Sequence, residues 1–157
     1  MATYNVAWVE QVNGAGDQPA LTLDDLWQGC LLLARSPQTF TSLISKCELH
    51  ADEGNIFTRT LYFSEGPQAE LGQTVILTPE LKFQCKSDTG NQVTTMVFPG
   101  VSGSADDAYL SIEYCIPISN MGSDLDKAKK DYAEKAKQNL FDGVKTMREL
   151  KAQGKLG

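Results

Sequence analysis

The run Ile56–Phe63, IFTRTLYF, carries an arginine where an apolar residue would be expected. Successive side chains of a strand point to opposite faces, so Phe57, Arg59, Leu61 and Phe63 share one face. Thr58, Thr60 and Tyr62 are more polar, which makes Arg59's face the buried one. A buried guanidinium without acceptors is costly. It either grips a carboxylate, enolate or carbonyl oxygen of a ligand in a forked contact, or braces a polar side chain on the next strand. Gln73 shares a face with Val75 and Leu77, and antiparallel pairing can set it beside Arg59. An amide is no general base, so Gln73 orients a carbonyl or hydroxyl, or simply partners Arg59. Glu10 shares a face with Tyr4 and Trp8. As an inward carboxyl it would have a raised pKa and act as an acid, whereas a solvated strand-end glutamate would not. Arg59, Gln73 and Glu10 are the candidate catalytic groups.

Around them, Trp8, Trp27, Phe83, Tyr114 and Tyr132 are candidate lining aromatics, with Phe57, Leu61, Val75 and Leu140 as apolar wall. Ordinary core packing is the competing reading for each. His50, the one histidine, alternates away from Cys47 and Leu49 and reads as solvated beside Glu48. Cys30, Cys47, Cys85 and Cys115 are widely spaced, with no C-x-x-C pair, and read as reduced, buried apolar groups. No phosphate-cradling loop, H-E-x-x-H or G-x-S-x-G occurs, so neither cofactor nor metal is expected.

The elements that must hold these residues are legible from period and punctuation. Thr3–Asn13 alternates as a strand. Thr22 with Asp25 forms a capping-box pattern opening a helix that runs to about Arg35, where Pro37 breaks it. That helix, within LWQGCLLLARSPQTF, is apolar almost all round, and so must be covered on more than one side. A second short helix is expected over Gln38–Leu43. Six short apolar runs then follow: SKCELHA, NIFTRTLYF, QTVILT, ELKFQCK, QVTTMVF and AYLSIEYCIPI. The turns DEGN and DTGN and Gly-rich loops separate them, the pattern of an antiparallel meander. From Ser123 to about Lys151 a long amphipathic helix carries Leu125, Ala128, Tyr132, Ala136, Leu140, Val144, Met147 and Leu150 on one face.

With 157 residues, 41% apolar and 22% charged, one folded domain over 1–157 is expected. The net charge of −6 argues against nucleic acid. Membrane insertion is not expected, because no long apolar run occurs, and no leader is recognised at the N-terminus, so a cytoplasmic location is expected.

The order of elements resembles the helix-grip fold of the SRPBCC superfamily, shared by START domains, birch-pollen-allergen (Bet v 1-like) proteins and polyketide cyclases. The stretch Leu21–Cys47, LTLDDLWQGCLLLARSPQTFTSLISKC, is similar to the pattern LTxxxLWxGLxxKAxxPxxFxxxIxSC of its AtaL-like branch. TRTLYF, DTGNQVT and the tail VKTMRELKAQGKLG extend the likeness along nearly the whole chain. Leu33, Gln73 and Thr95 depart from that pattern, standing where basic, acidic and Asn residues are usual. The resemblance implies an α+β helix-grip fold: a curved seven-stranded antiparallel sheet wrapped around a long C-terminal helix, with two short helices after strand 1, enclosing a cavity. It implies a small hydrophobic organic molecule as partner, and leaves a homodimer open. The expected function is a cofactor-independent cyclase or isomerase of specialised metabolism. The alternative is a non-catalytic carrier or sensor of a small hydrophobic ligand.

Overall fold

The computed structural model describes residues 2–156. Strand β1 (Thr3–Gln11) leads to helix α1 (Leu23–Arg35), a 3-10 turn at Pro37–Thr39, and strands β2 (Ile44–His50), β3 (Ile56–Phe63), β4 (Glu70–Thr78), β5 (Lys82–Ser87), β6 (Gln92–Phe98) and β7 (Tyr109–Pro117). Helix α2 (Leu125–Ala152) closes the chain. The strands form one antiparallel sheet in the order β1-β7-β6-β5-β4-β3-β2. Each hairpin-linked neighbour pairs with the next, and β1 crosses over to flank β7.

Capping decides where the helices begin. The Thr22 hydroxyl accepts from Asp25 N at 3.0 Å and the Asp25 carboxylate accepts from Thr22 N at 2.8 Å, so α1 opens on the reciprocal box the sequence predicts. The Asp124 carboxylate caps α2 by accepting from Lys127 N at 3.1 Å. Beyond α1 the expected second short helix is present as the 3-10 turn at Pro37–Thr39, shorter and earlier than Gln38–Leu43. The Thr41 hydroxyl accepts from Leu43 N at 3.2 Å, and this local bond turns the chain into β2 before a second helical turn can form. Strand β4 begins three residues earlier than its apolar run, at Glu70 instead of Gln73, because Glu70 pairs with Tyr62 and Leu71 with Leu61.

One face of the sheet is packed. Phe57, Val75, Phe83, Cys85, Val97, Leu110, Ile112, Tyr114 and Ile116 bury there against Leu26, Trp27, Cys30 and Ala34 of α1 and Ala136, Leu140, Val144 and Met147 of α2. The other face presents Thr, Gln and charged side chains. Helix α2 rests chiefly on β1 and β7, while α1 covers the β5–β6 side and touches α2. That division answers why α1 is apolar on so many sides: it packs on the sheet with one flank and on α2 with another. Gly29 makes the second contact possible, since a Cβ there would lie 2.5 Å from Met147 Sδ. Met147 is fully buried, a placement that removes apolar surface worth about 1.5–3 kcal/mol from water.

The C-terminal turns of α2 are pinned to the loop between β1 and α1. Arg148 donates to Pro19 O at 2.9 Å and to Val12 O, and Lys151 donates to Ala20 O at 2.8 Å and to the Asp25 carboxylate. Asn13 completes the joint: its amide donates to Leu21 O at 2.7 Å and Ala105 O at 2.9 Å and accepts from Leu21 N. The tail motif is therefore a clamp on the fold.

Candidate functional site

Strand register sets the site. Arg59 pairs with Gln73 across β3–β4, and Gln73 with Ser87 across β4–β5, so three polar side chains stand in one row on the inner face. Arg59 Nε donates to Gln73 Oε1 at 2.9 Å, and Gln73 Nε2 donates to Ser87 Oγ at 3.1 Å. The next row holds Phe57, Val75, Cys85, Val93 and Tyr114.

Arg59 is 6% exposed and inward, as alternation requires, and four of its five N–H groups have partners. Nη1 donates to the carbonyls of Leu33, at 3.2 Å, and Ala34, and Nη2 lies 3.4 Å from Cys85 Sγ. Leu33 O and Ala34 O belong to the last turn of α1, whose carbonyls have no intrahelical partner and whose dipole end is negative. Arg59 therefore anchors the C-terminus of α1 to the sheet. Of the two expectations for Arg59, bracing is the one its contacts in the structure make, though to a helix end instead of a strand side chain alone, because that end sits within its reach.

Cys85 lies between the Arg59 row and Tyr114. Burial pushes the Cys85 thiol up, and the Arg59 charge opposes that push. Tyr114 is 7% exposed, and burial raises its hydroxyl, with the Asn139 hydrogen bond pulling the other way. Asn139 Nδ2 donates to Tyr114 Oη at 2.7 Å. A tyrosyl hydroxyl accepts and donates. With Asn139 on its oxygen, the Tyr114 O–H is left to donate, and the described residues supply no acceptor for it. The Tyr132 ring sits 6.1 Å from the Tyr114 ring, centroid to centroid, tilted by 49°. The arrangement presents a part-buried hydroxyl, bonded to the exposed Asn139, beside the Tyr132 ring and next to Leu140 at 3% and Ala136 at 0% exposure.

Several expected residues lie elsewhere. Phe57 and Val75 are 0% exposed, so no water-sized space touches them, and they pack the core instead of lining a site. Trp27, Leu61 and Phe83 are buried in that interior as well. Trp8 is 39% exposed: its indole donates to Glu10 Oε2 at 3.3 Å and Lys137 lies over its ring at 5.2 Å. It is a rim residue because β1 is an edge strand and α2 covers it only in part. Glu10 opens into a shallow outer hollow of about 160 Å³ with Phe141, Val144, Lys145 and Arg148. Four strands separate β1 from β3 in the sheet, about 24 Å along its surface at the usual strand spacing, so Glu10 does not join Arg59 and Gln73. His50 lies on the outer face, its Nε2 3.1 Å from Thr60 Oγ1, as alternation predicts. All four cysteines are free thiols, but only Cys30 and Cys85 are buried; Cys47 and Cys115 are half-exposed because β2 is the sheet edge and Cys115 faces outward.

Asn139 and Ser87 are not among the residues the sequence pattern points to, and Cys85 is expected from it only as a buried thiol. Ser87 and Cys85 follow from the alternation of Phe83, which was available. Asn139 had no signal, since its meeting with Tyr114 depends on how α2 crosses β7. Among the described residues no group of three or more His, Cys, Asp or Glu side chains could hold a metal, and no helix is long and apolar enough to cross a membrane.

A seven-stranded antiparallel sheet curved around one long C-terminal helix, with the first helix closing an end, is the helix-grip arrangement, so the chain has the Bet v 1-like fold. The solved structures agree. The di-domain ARO/CYC StfQ of the steffimycin biosynthetic pathway superposes with a TM-score of 0.71 at 13% identity, over 94% of this chain and 50% of that one. The chain thus spans half the length of that protein. The Zhui aromatase/cyclase of a Streptomyces species gives 0.63 at 11% identity over 94% and 93% of the two chains. Norcoclaurine synthase of Thalictrum flavum gives 0.58 at 19% over 95% and 93%. Within this class, residues 6–154 match the family described as acetylaranotin biosynthesis cluster protein L, and the chain belongs to that family. The Aspergillus terreus protein of that name is 25% identical over 160 residues, covering 98% of this chain and 94% of its own.

Proposed function

We propose that this protein is a cofactor-independent cyclase or isomerase of specialised metabolism that holds a small apolar intermediate against the inner face of its sheet. The observation that carries the reading is the Tyr114 hydroxyl: the residue is 7% exposed, its oxygen accepts from the exposed Asn139 at 2.7 Å, and it keeps its own proton to donate. A donor held in place by its own hydrogen bond stabilises charge developing on a carbonyl oxygen as a ring closes or a double bond moves. Arg59 fixes the α1 end that walls the site, and Gln73 is the one member of its row with an adjacent half-exposed hydroxyl, Ser87. Membership in a biosynthesis-cluster family and the cyclase fold neighbours support the same class of chemistry.

The second reading, a carrier or sensor, needs the same apolar inner face, where Phe57, Val75 and Met147 are fully buried, and no positioned acid or base. One experiment separates the two. Deletion of the gene in its host should make an apolar precursor accumulate, and purified protein added to that extract should convert it. Tyr114→Phe should slow conversion about 100-fold, the scale of a lost general acid, while the fold survives. Binding of the precursor without conversion by the wild-type protein establishes the carrier reading and removes the enzyme.

A further inference from the structure

The outward flank of α1 is not used by any of this. Leu31 and Leu32, with Leu156 from the segment after α2, floor a groove of about 320 Å³ on the outside of the molecule. Its polar edge consists of Gln28, Ser36, Arg35 and Lys155. Every one of these can donate a hydrogen bond, and two are cations. Among the described residues no acidic side chain lines it, in a chain with 20 Asp and Glu against 14 Lys and Arg. Arg35 is partly engaged, donating to the Asp52 carboxylate at 2.8 Å and Gly54 O at 3.1 Å, and its guanidinium stacks on Phe57 at 4.6 Å. It is thereby held rigidly at the groove's end. Lys155 takes part in no ion pair among the described residues.

We propose that this groove binds an anionic amphiphile, a small carboxylate with an unbranched apolar body, at a site separate from the inner face. The body lies on Leu31, Leu32 and Leu156, and the carboxylate meets Lys155 and the hydroxyl and amide donors of Ser36 and Gln28. The volume falls at the lower end of small-ligand pockets. The charge pattern selects the head group: a neutral alcohol forgoes the attraction of Lys155, and a cation is repelled by it. Half-buried leucines on an otherwise acidic molecule gain apolar contact only if the head group is tolerated at the rim, which here requires an anion.

The test is titration of the full chain with decanoate, decanol and decyltrimethylammonium, followed by methyl and side-chain amide NMR. Decanoate should bind with one-to-one stoichiometry, at least tenfold more tightly than either analogue, and shift the Leu31, Leu32 and Leu156 methyls and the Gln28 amide. Lys155→Glu, an exposed change that leaves the fold intact, should weaken decanoate at least tenfold. Leu32→Gln, checked for an unchanged fold by the same spectra, should weaken all three ligands. The proposal is overturned if decanoate shifts only inner-face methyls such as Leu61 and Leu140, if decanol binds as tightly, or if Lys155→Glu binds as the wild type does.

Discussion

Replacing Arg59 by methionine keeps the length of the side chain and removes all of its donors. In the native structure those donors meet Leu33 O, Ala34 O, Gln73 Oε1 and Cys85 Sγ. The two carbonyls at the end of α1 would be left in a site only 6% exposed at the arginine. Each buried polar group stranded in this way costs about 1–3 kcal/mol. The loss is therefore about 2–6 kcal/mol, partly offset by methionine's apolar contact with Leu61 and Phe57. At about 2–4 °C per kcal/mol for a domain of this size, the melting temperature should fall by about 4–24 °C. Thermal and urea unfolding followed by far-UV circular dichroism measure it, with an unchanged m-value showing that the compactness of the end states is kept. Arg59→Lys should recover only part of the loss, because an ammonium cannot fork to two carbonyls and an amide at once. A methionine variant that melts within about 3 °C of wild type would show that the α1 carbonyls do not depend on Arg59, and the guanidinium would return to candidacy as a ligand group.

Gly29→Ala puts a methyl 2.5 Å from Met147 Sδ, an overpacking cost of about 1–3 kcal/mol set against about 1 kcal/mol gained in helix propensity. Thermal melts should show net destabilisation that Met147→Ala relieves in the double variant; independent, additive losses would sink the contact. Burial pushes the Asp25 carboxyl up, but hydrogen bonds from Lys151 and Thr22 outweigh it and hold the group below 3.8. A depressed folded pKa means stabilisation present at neutral pH and lost as pH falls below 3.8. Asp25→Asn should thus lower stability at pH 7 and flatten the acid limb of the stability curve. Burial pushes the Cys30 thiol up to about 12 and also raises Cys85. A thiol reagent at pH 8 should label Cys115 and Cys47 quickly and leave Cys30 and Cys85 until the protein unfolds; four fast sites would contradict the packing.

Local pattern explains what was readable and what was not. The alternation around Arg59 correctly turned it inward, and the Gln73 pairing followed from two adjacent strands joined by a short loop. The same alternation put Trp8 and Glu10 on the inner face, which is true, yet they ended at a rim. Alternation reports which face a side chain takes and nothing about how far the covering helix extends over it. The Thr22–Asp25 box and the Pro37 break depend on residues three or fewer apart, and both stood as expected. The second short helix is present, but as a 3-10 turn over Pro37–Thr39 instead of Gln38–Leu43, because Thr41 engages the backbone by a bond that helix periodicity does not register.

The residues taken alone therefore determined the order of elements, the faces of the strands, the capped start of α1 and the family likeness of Leu21–Cys47, since each rests on spacings within one element. The tertiary structure decided which donors stay free. Arg59 meets Leu33 across 26 positions, and Asn139 meets Tyr114 across 25. Such meetings are set by where α1 ends over the curved sheet and by the path of α2 across β7. Both are consequences of burying every apolar surface at once, a condition no single segment contains.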